Sequence, residues 1–351
     1  MFPRVSIIIL NWNGWRDTIE CLESLYRINY NNYDIILLDN NSQDGSIEKI
    51  KEYCNGEIEV NSKFFKYSKD NKPINVFEID EEDVEKGYFK NKEKYEELPS
   101  NRRLILIKNK DNYGFAGGNN IGIRFVLNVL NSKYTCLLNN DTVVDRDYLV
   151  ELVKVAEGDE NIGIVGSKIY YYDYNGRDDV IWALGGGGVD VRLGKTWHYM
   201  ENRGNYDAIE CEYITGCSML IRREVLYRLK GFDERFFCYY EDTDLSVRCR
   251  ELEYKLLCAT KSILWHKVSA SSGGEESPVS IYYGTRNRIY FVKKHNNSFF
   301  NYLIFLIWFL GYKHIRRVVY FVVLKKNVYL LKYFYMGIWD GVVGRYYKKD
   351  W

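Results

Sequence analysis

The sequence predicts an α/β protein built on an open sheet, and three stretches carry that prediction. Val5 to Leu10 (VSIIIL), Asp34 to Asp39 (DIILLD) and Arg103 to Ile107 (RLILI) are nearly unbroken apolar runs rich in isoleucine and leucine. Such runs fit parallel strands covered on both faces, because a half-exposed strand would alternate apolar with polar residues. Helical patterns follow the first two, from about Asp17 to Tyr26 and near Ile47 to Tyr53, so the first 55 residues read as two βα units. A Rossmann-like sheet of this kind binds ligands beyond the carboxyl ends of its strands, which places Asn11 to Asn13 and Asp39 to Asp44 at the expected rim.

The rest of the chain extends the pattern with one interruption. Between Cys54 and Leu98, 20 of 45 residues are charged, interleaved with aromatics such as Phe64, Phe77 and Tyr95. This reads as an insertion, with order conferred by the rings and no chemistry assigned. Gly114, Gly117 and Gly118 in NYGFAGGNN precede a helix and suit either close approach to a phosphate or sugar or a tightly packed turn. Tyr134 to Leu138 is the next strand, ending in Asn139-Asn140-Asp141-Thr142, and Ile162 to Ser167 is another. Gly185 to Gly188 and Tyr213 to Arg222 extend a mixed sheet, and Lys255 to His266 reads as a short strand pair followed by a serine-rich loop.

Size, charge and cysteines set further bounds. The 351 residues suffice for one large α/β unit with an appendage. The net charge of +1 hides an asymmetry: residues 293–351 hold eleven Lys or Arg against two acids, leaving 38 against 46 in residues 1–292. A basic tail on an acidic body suggests that the tail alone meets a negatively charged surface. Within it, Tyr302 to Tyr312 and Val318 to Leu324 are apolar runs, too short to span a bilayer, and Lys313, Arg316 and Arg317 lie between them. They fit either helices lying in a membrane surface or a buried pair closing the main unit. The eight cysteines show no zinc or redox spacing and read as small core residues in a reducing compartment. With no leader pattern at Met1, the expected location is the cytoplasm, at the cytoplasmic face of a membrane.

The stretch Gly231 to Arg248 (GFDERFFCYYEDTDLSVR) concentrates acids among aromatics. Glu241-Asp242-x-Asp244 suits the first turn of a helix, where carboxylates favour the positive end of the dipole. It equally suits an acid–base centre, since a carboxylate beside apolar rings can be tuned to take a proton.

As an ordered set, VSIIILNWNG, LLDNNSQDGS, NYGFAGGNNIGI, LLNNDT, TGCSMLIRR, GFDERFFCYYEDTDLSVR, His266 and TRNRIYF resemble a family 2 glycosyltransferase of the GT-A fold, in its rhamnosyltransferase-like branch. The resemblance covers about residues 5–120, with a gap, and about 130–295. It implies a GT-A domain over 1–292 and C-terminal helices over 293–351. It also implies transfer of a hexose, rhamnose by branch, from a dTDP- or UDP-sugar to a glycan or polyprenyl-linked acceptor, serving the cell envelope, with no nucleic acid partner. Such transfer must stabilise a departing pyrophosphate and deprotonate an acceptor hydroxyl.

The family pattern selects Asp242 as base, acting opposite the leaving group to give inversion, with Glu241 orienting the loop and Asp244 a polar contact. Asp141 and His266 are the implied ligands of Mg²⁺ or Mn²⁺; the family's usual DxD has an acid where this chain has Asn139. Asp39 matches the carboxylate that reads a pyrimidine base, within an Asx turn of its own. Asn11, Asn13, Asn112, Gly117, Gly118, Asn139 and Asn140 are expected near the nucleotide-sugar. Arg286 and Arg288 are candidates for the diphosphate or the acceptor, or for bridging tail to body. Phe236, Phe237, Tyr239 and Tyr240 are expected to wall the acceptor or sugar. Two competing readings are a nucleotidyltransferase, which would want a basic glycine-rich loop after the first strand, and a binding module that has lost catalysis.

Overall fold

The computed structural model describes residues 2–201, 206–268, 277–296 and 298–349; the serine-rich loop after His266 lies outside them. The chain opens with β1 (Val5–Asn11), α1 (Trp15–Leu25), β2 (Tyr33–Asp39), α2 (Ser46–Cys54), β3 (Asn75–Asp80), α3 (Glu81–Glu85), α4 (Lys92–Glu97) and β4 (Arg103–Lys108). It continues with α5 (Gly114–Phe125), β5 (Tyr134–Asn139), β6 (Thr142–Val144), α6 (Tyr148–Ala156), β7 (Ile162–Tyr171), β8 (Ile181–Leu184), β9 (Gly186–Asp190) and β10 (Lys195–His198). Then come β11 (Ala208–Glu210), β12 (Tyr213–Ile214), β13 (Ser218–Arg222), α7 (Arg223–Leu229), α8 (Glu241–Glu251), β14 (Lys255–His266), α9 (Pro278–His295), α10 (Phe299–Trp308), α11 (His314–Val319) and α12 (Tyr329–Val343).

One sheet runs β10-β9-β8-β7-β13-β5-β1-β2-β4-β3, with β14 against β7. The β5-β1-β2-β4-β3 half is wholly parallel, and antiparallel pairing begins at β13. The unbroken apolar runs have their reason in two covers. Ile7, Ile9, Ile35, Leu37 and Leu106 pack under α1 and α2, while Ile8, Ile36, Leu38, Ile105 and Ile107 pack under α5. The chain passes from β1 outward to β2 and β4, then returns to β5 on β1's other side, so a topological switch lies at the carboxyl ends of β1 and β5.

Three expectations change. Lys255–His266 is one long strand, not a pair; a register shift between Ala259 and Ile263 lets it keep pairing with β7 along its length. Residues 54–98 add the parallel edge strand β3, and Phe77, Phe89 and Tyr95 pack together beneath it. The helix after β4 starts at Gly114, so Gly117 and Gly118 lie inside α5. All eight cysteines are free, seven of them buried, and burial pushes Cys21 and Cys136 up to about 12.

The C-terminal layer packs α12 on α9 and closes the second half of the sheet. From Phe299 to Leu324 the chain is continuously helical, with π-helical turns at Phe309–Lys313 and Tyr320–Leu324. Among the described residues no helix is long and apolar enough to cross a membrane.

Candidate functional site

A cavity of about 950 Å³ opens at the switch point. Its parallel side is a lattice of short polar side chains. Asn11 Nδ2 donates to Asp39 Oδ1 at 2.8 Å, Ser42 N to Asp39 Oδ2 at 2.9 Å, and Thr18 Oγ1 to Asn11 Oδ1 at 2.8 Å. Asn40 Nδ2 reaches Asn112 Oδ1 at 2.9 Å, and Asn140 Nδ2 reaches Thr18 Oγ1 at 3.0 Å. Leu10, Trp12, Asn40, Asn112, Asn139, Asn140 and Asp141 line the space. Asn11, Asn13 and Asp39 do not; they stand behind these residues, with Asn13 Oδ1 holding Gln43 N at 2.7 Å. Asp39 Oδ2 closes a turn onto Ser42 N three residues on, one residue wider than the Asx turn expected there. Gly117 and Gly118 are also behind the wall: added Cβ atoms would stand 2.8 Å from Tyr113 Cβ and 2.7 Å from Leu10 Cδ1, so these glycines permit helix packing.

Asp141 and His266 meet where β5 and β14 end. His266 Nε2 is 3.1 Å from Asp141 Oδ1, and both side chains are buried. Burial opposes the charge on each, yet the Asp141 carboxyl is held below its usual range by His266, and the imidazole is raised well above its own by Cys217 and Asp141 beside it. His266 Nδ1 is buried without a hydrogen bond, while the Asp141 carboxylate pairs with His266 Nε2. A buried carboxylate and imidazole together at the cavity wall fit a hard divalent cation that takes its remaining ligands from water and phosphate. The described residues offer no group of three such protein ligands.

Across the cavity, α8 presents two adjacent carboxyls with different surroundings. Asp242 Oδ2 accepts from Gly216 N at 2.9 Å, and Oδ1 accepts from Thr243 N at 2.6 Å. Burial raises Asp242 above the usual carboxylate range, and these bonds at the helix N-terminus oppose the rise. Glu241 lies deeper, its Oε2 buried without a partner; burial, then the Asp242 and Asp244 charges, push it well above its usual range. Glu241 is thus raised further than Asp242, whose carboxylate form the bonds from Gly216 and Thr243 favour, a difference that separates two acids into two tasks. Asp244 points away, bound to Arg248 at 2.7 Å, Lys294 at 2.6 Å and His295 at 2.8 Å.

The loop before α8 builds the third wall. Phe237, Tyr239 and Tyr240 line it and have positive φ, of 64°, 68° and 74°. Phe236 does not; it is buried against Tyr290. This strained loop is held by α9. Arg286, fully buried, donates to Arg235 O at 2.9 Å and Phe236 O at 2.8 Å, and Asn287 Nδ2 donates to Phe236 O, Cys238 O and Tyr239 O within 2.8 Å. Arg288 donates to Leu193 O at 2.9 Å. Neither arginine lines the cavity, because carbonyls brought in from distant loops occupy their donors. Gly114 (φ 69°) lets α5 meet the same loop: a Cβ there would stand 2.5 Å from Phe237 O.

Sequence reasoning missed Trp182, His198, Cys217, Tyr283 and Lys349, all lining the cavity. Trp182 and His198 come from β8 and β10, their rings 4.5 Å apart, with Trp182 edge-on to His266 at 5.0 Å. Only the Gly185 to Gly188 run, which lets β9 pack closely between its neighbours, hinted that this region shapes the site.

A mixed sheet with its cleft at the switch point, an acid–imidazole pair on one side and paired carboxyls on the other, defines a transferase of the GT-A type. The chain belongs to glycosyl transferase family 2, whose model matches residues 6–73 and 89–230. It is 30% identical over 159 residues to the O-antigen biosynthesis protein RfbC of Myxococcus xanthus, covering 42% of this chain and 12% of that protein. It is 27% identical over 153 residues to rhamnosyltransferase WbbL of Escherichia coli, covering 39% and 54%. The chain thus spans less than two thirds of the length of either relative. Among solved structures, the mannosyltransferase PcManGT of Pyrobaculum calidifontis, in complex with GDP-Man and Mn²⁺, shares the fold with a TM-score of 0.55 and 12% identity, over 98% of this chain and 88% of that one.

Proposed function

We propose that this chain is an inverting, divalent-metal-dependent hexosyltransferase. It moves a sugar, rhamnose by its likeness to WbbL, from a dTDP- or UDP-sugar to a hydroxyl of a lipid-linked or cell-surface glycan at the cytoplasmic face of a membrane. One observation carries the reading: Asp141 with His266 and Asp242 with Glu241 line a single cavity at the carboxyl ends of β1 and β5. Asp141 and His266 would hold Mg²⁺ or Mn²⁺, which supplies charge neutralisation to a departing diphosphate. Asn40, Asn112 and Asn140 line the donor side of the cavity, with Asp39 holding Asn140 in place through Asn11 and Thr18. Asp242 takes the proton of the acceptor hydroxyl, and Glu241 beside it, raised well above its usual range by burial, hydrogen-bonds a substrate hydroxyl. Phe237, Tyr239 and Tyr283 form the apolar wall on which a sugar ring packs.

The test is a panel of nucleotide sugars assayed for released nucleoside diphosphate with Mg²⁺ or Mn²⁺ and with chelator. Release from one donor, lost with chelator, supports the proposal. Nucleotide binding without turnover across the panel would leave a binding module instead.

A further inference from the structure

The C-terminal layer has two faces of opposite character. Phe305 and Phe309 are buried against the body and Phe321 against α9 and α12, while Phe300, Ile304, Ile307, Ile315, Val322 and Leu324 face solvent along the same helical run. Of the 27 large hydrophobic residues exposed among the described residues, 19 lie beyond residue 298, so this is the apolar surface of the molecule. Exposed patches of this kind mark an interaction site.

Charge selects the partner. Lys313, Arg316, Arg317, Lys325, Lys326 and Lys332 interrupt the stripe, and the one acid between residues 299 and 349, Asp340, is 2% exposed. A second copy of this chain meeting the same face would set these cations against each other. Anionic lipid headgroups would instead complement them, with the apolar side chains entering the acyl boundary. The run of 26 residues from Phe299 to Leu324 is about 39 Å long at 1.5 Å per residue, and no part of it is fitted to cross a bilayer, so it lies along the surface.

We infer that the outer face of residues 299–343 is a docking surface for an anionic lipid bilayer, through which the acceptor is delivered to the site. The same layer walls the cavity. Tyr283 of α9 and Lys348 and Lys349 beyond α12 line it, and Lys348 Nζ reaches Asp111 at 2.8 Å across its mouth. A lipid-anchored acceptor would therefore meet one layer that both rests on the membrane and frames the reaction. This deepens the proposed function and rests on it for the acceptor, but the binding step stands apart from turnover.

The test is co-sedimentation of the full chain with phosphatidylcholine vesicles, with and without phosphatidylglycerol, at low and high salt. Wild type is expected to bind the anionic vesicles, and to bind neutral vesicles or high-salt anionic vesicles at least about tenfold less. Ile304→Glu with Ile307→Glu should lower binding to anionic vesicles by about tenfold or more, because two apolar anchors are lost. Arg316→Glu with Lys325→Glu and Lys326→Glu should remove the preference for anionic lipid; this second variant leaves the apolar stripe untouched and decides the question if the first misfolds. Absence of vesicle binding, binding indifferent to both variants, or a dimer by light scattering that the isoleucine variant dissolves would overturn the inference. Donor hydrolysis in solution is expected to be unchanged in both variants, so a failure of vesicle binding is distinguished from a failure of the transfer reaction.

Discussion

The two sides of the cavity are built by opposite means. On the parallel side, side chains at strand ends hold one another: Asn11, Asp39, Ser42 and Thr18 form a closed lattice on a rigid sheet. On the α8 side, side chains hold backbone: Arg286 and Asn287 grip the carbonyls of Arg235, Phe236, Cys238 and Tyr239 and keep three non-glycine residues at positive φ. Each such residue costs about 1–3 kcal/mol, so the wall persists only because α9 over-determines it. On the proposed function, donor binding and acceptor handling should be damaged separately, the first through the lattice and the second through the clamp.

The sharpest test is Asp242→Asn. It should lower transfer by about 10²–10⁴-fold with nucleotide binding by calorimetry unchanged, because the base is lost and the lattice is intact. Equal loss of nucleotide binding would break the separation. Asp244→Asn comes next. It leaves Arg248, Lys294 and His295 around a neutral amide, and denaturant unfolding should show a loss of about 3–5 kcal/mol. Asp244 is held below the usual carboxylate range, so its contribution is full above the unfolded value, about pH 4, and disappears as pH falls through the lowered folded value. Above that window the wild type should keep the full difference over the variant.

Arg286→Lys keeps the charge but cannot reach all the carbonyls that the guanidinium holds. A loss of about 1–3 kcal/mol is expected, with acceptor KM rising more than nucleotide Kd. A smaller effect concerns pH. Burial raises Asp242, so the acid limb of kcat/KM should lie above the ordinary carboxylate value of about 4, activity falling as pH drops through it. Glu241 is pushed up further than Asp242, so Glu241→Gln should leave that limb in place and keep turnover; a limb that moves would assign it to Glu241.

Much of the lattice was legible because its residues are local to strand ends: DIILLD followed by NNSQDGS announces both the strand and its polar cap. The clamp was not. Arg286 in TRNRIYF reads as a contact to diphosphate or acceptor or as a tail-to-body salt bridge, and only the fold shows its donors spent on a backbone carbonyl, Phe236 O, 50 residues away in sequence. Phe236 and Phe237 look alike in the chain, yet one is core and the other lines the cavity. Trp182 and His198 carry no motif at all and reach the site because β8 and β10 fold back beside β7 and β9.

The sequence by itself determined the two-faced burial of the central strands, the polar switch point and the acids at the start of α8, because apolar periodicity and helix-end charge are local properties of the chain. The tertiary structure alone decided which acids burial raises, which arginine is buried and which aromatic lines the cavity. Desolvation and hydrogen-bond choice depend on groups that distant segments bring together, and no spacing along the chain encodes them.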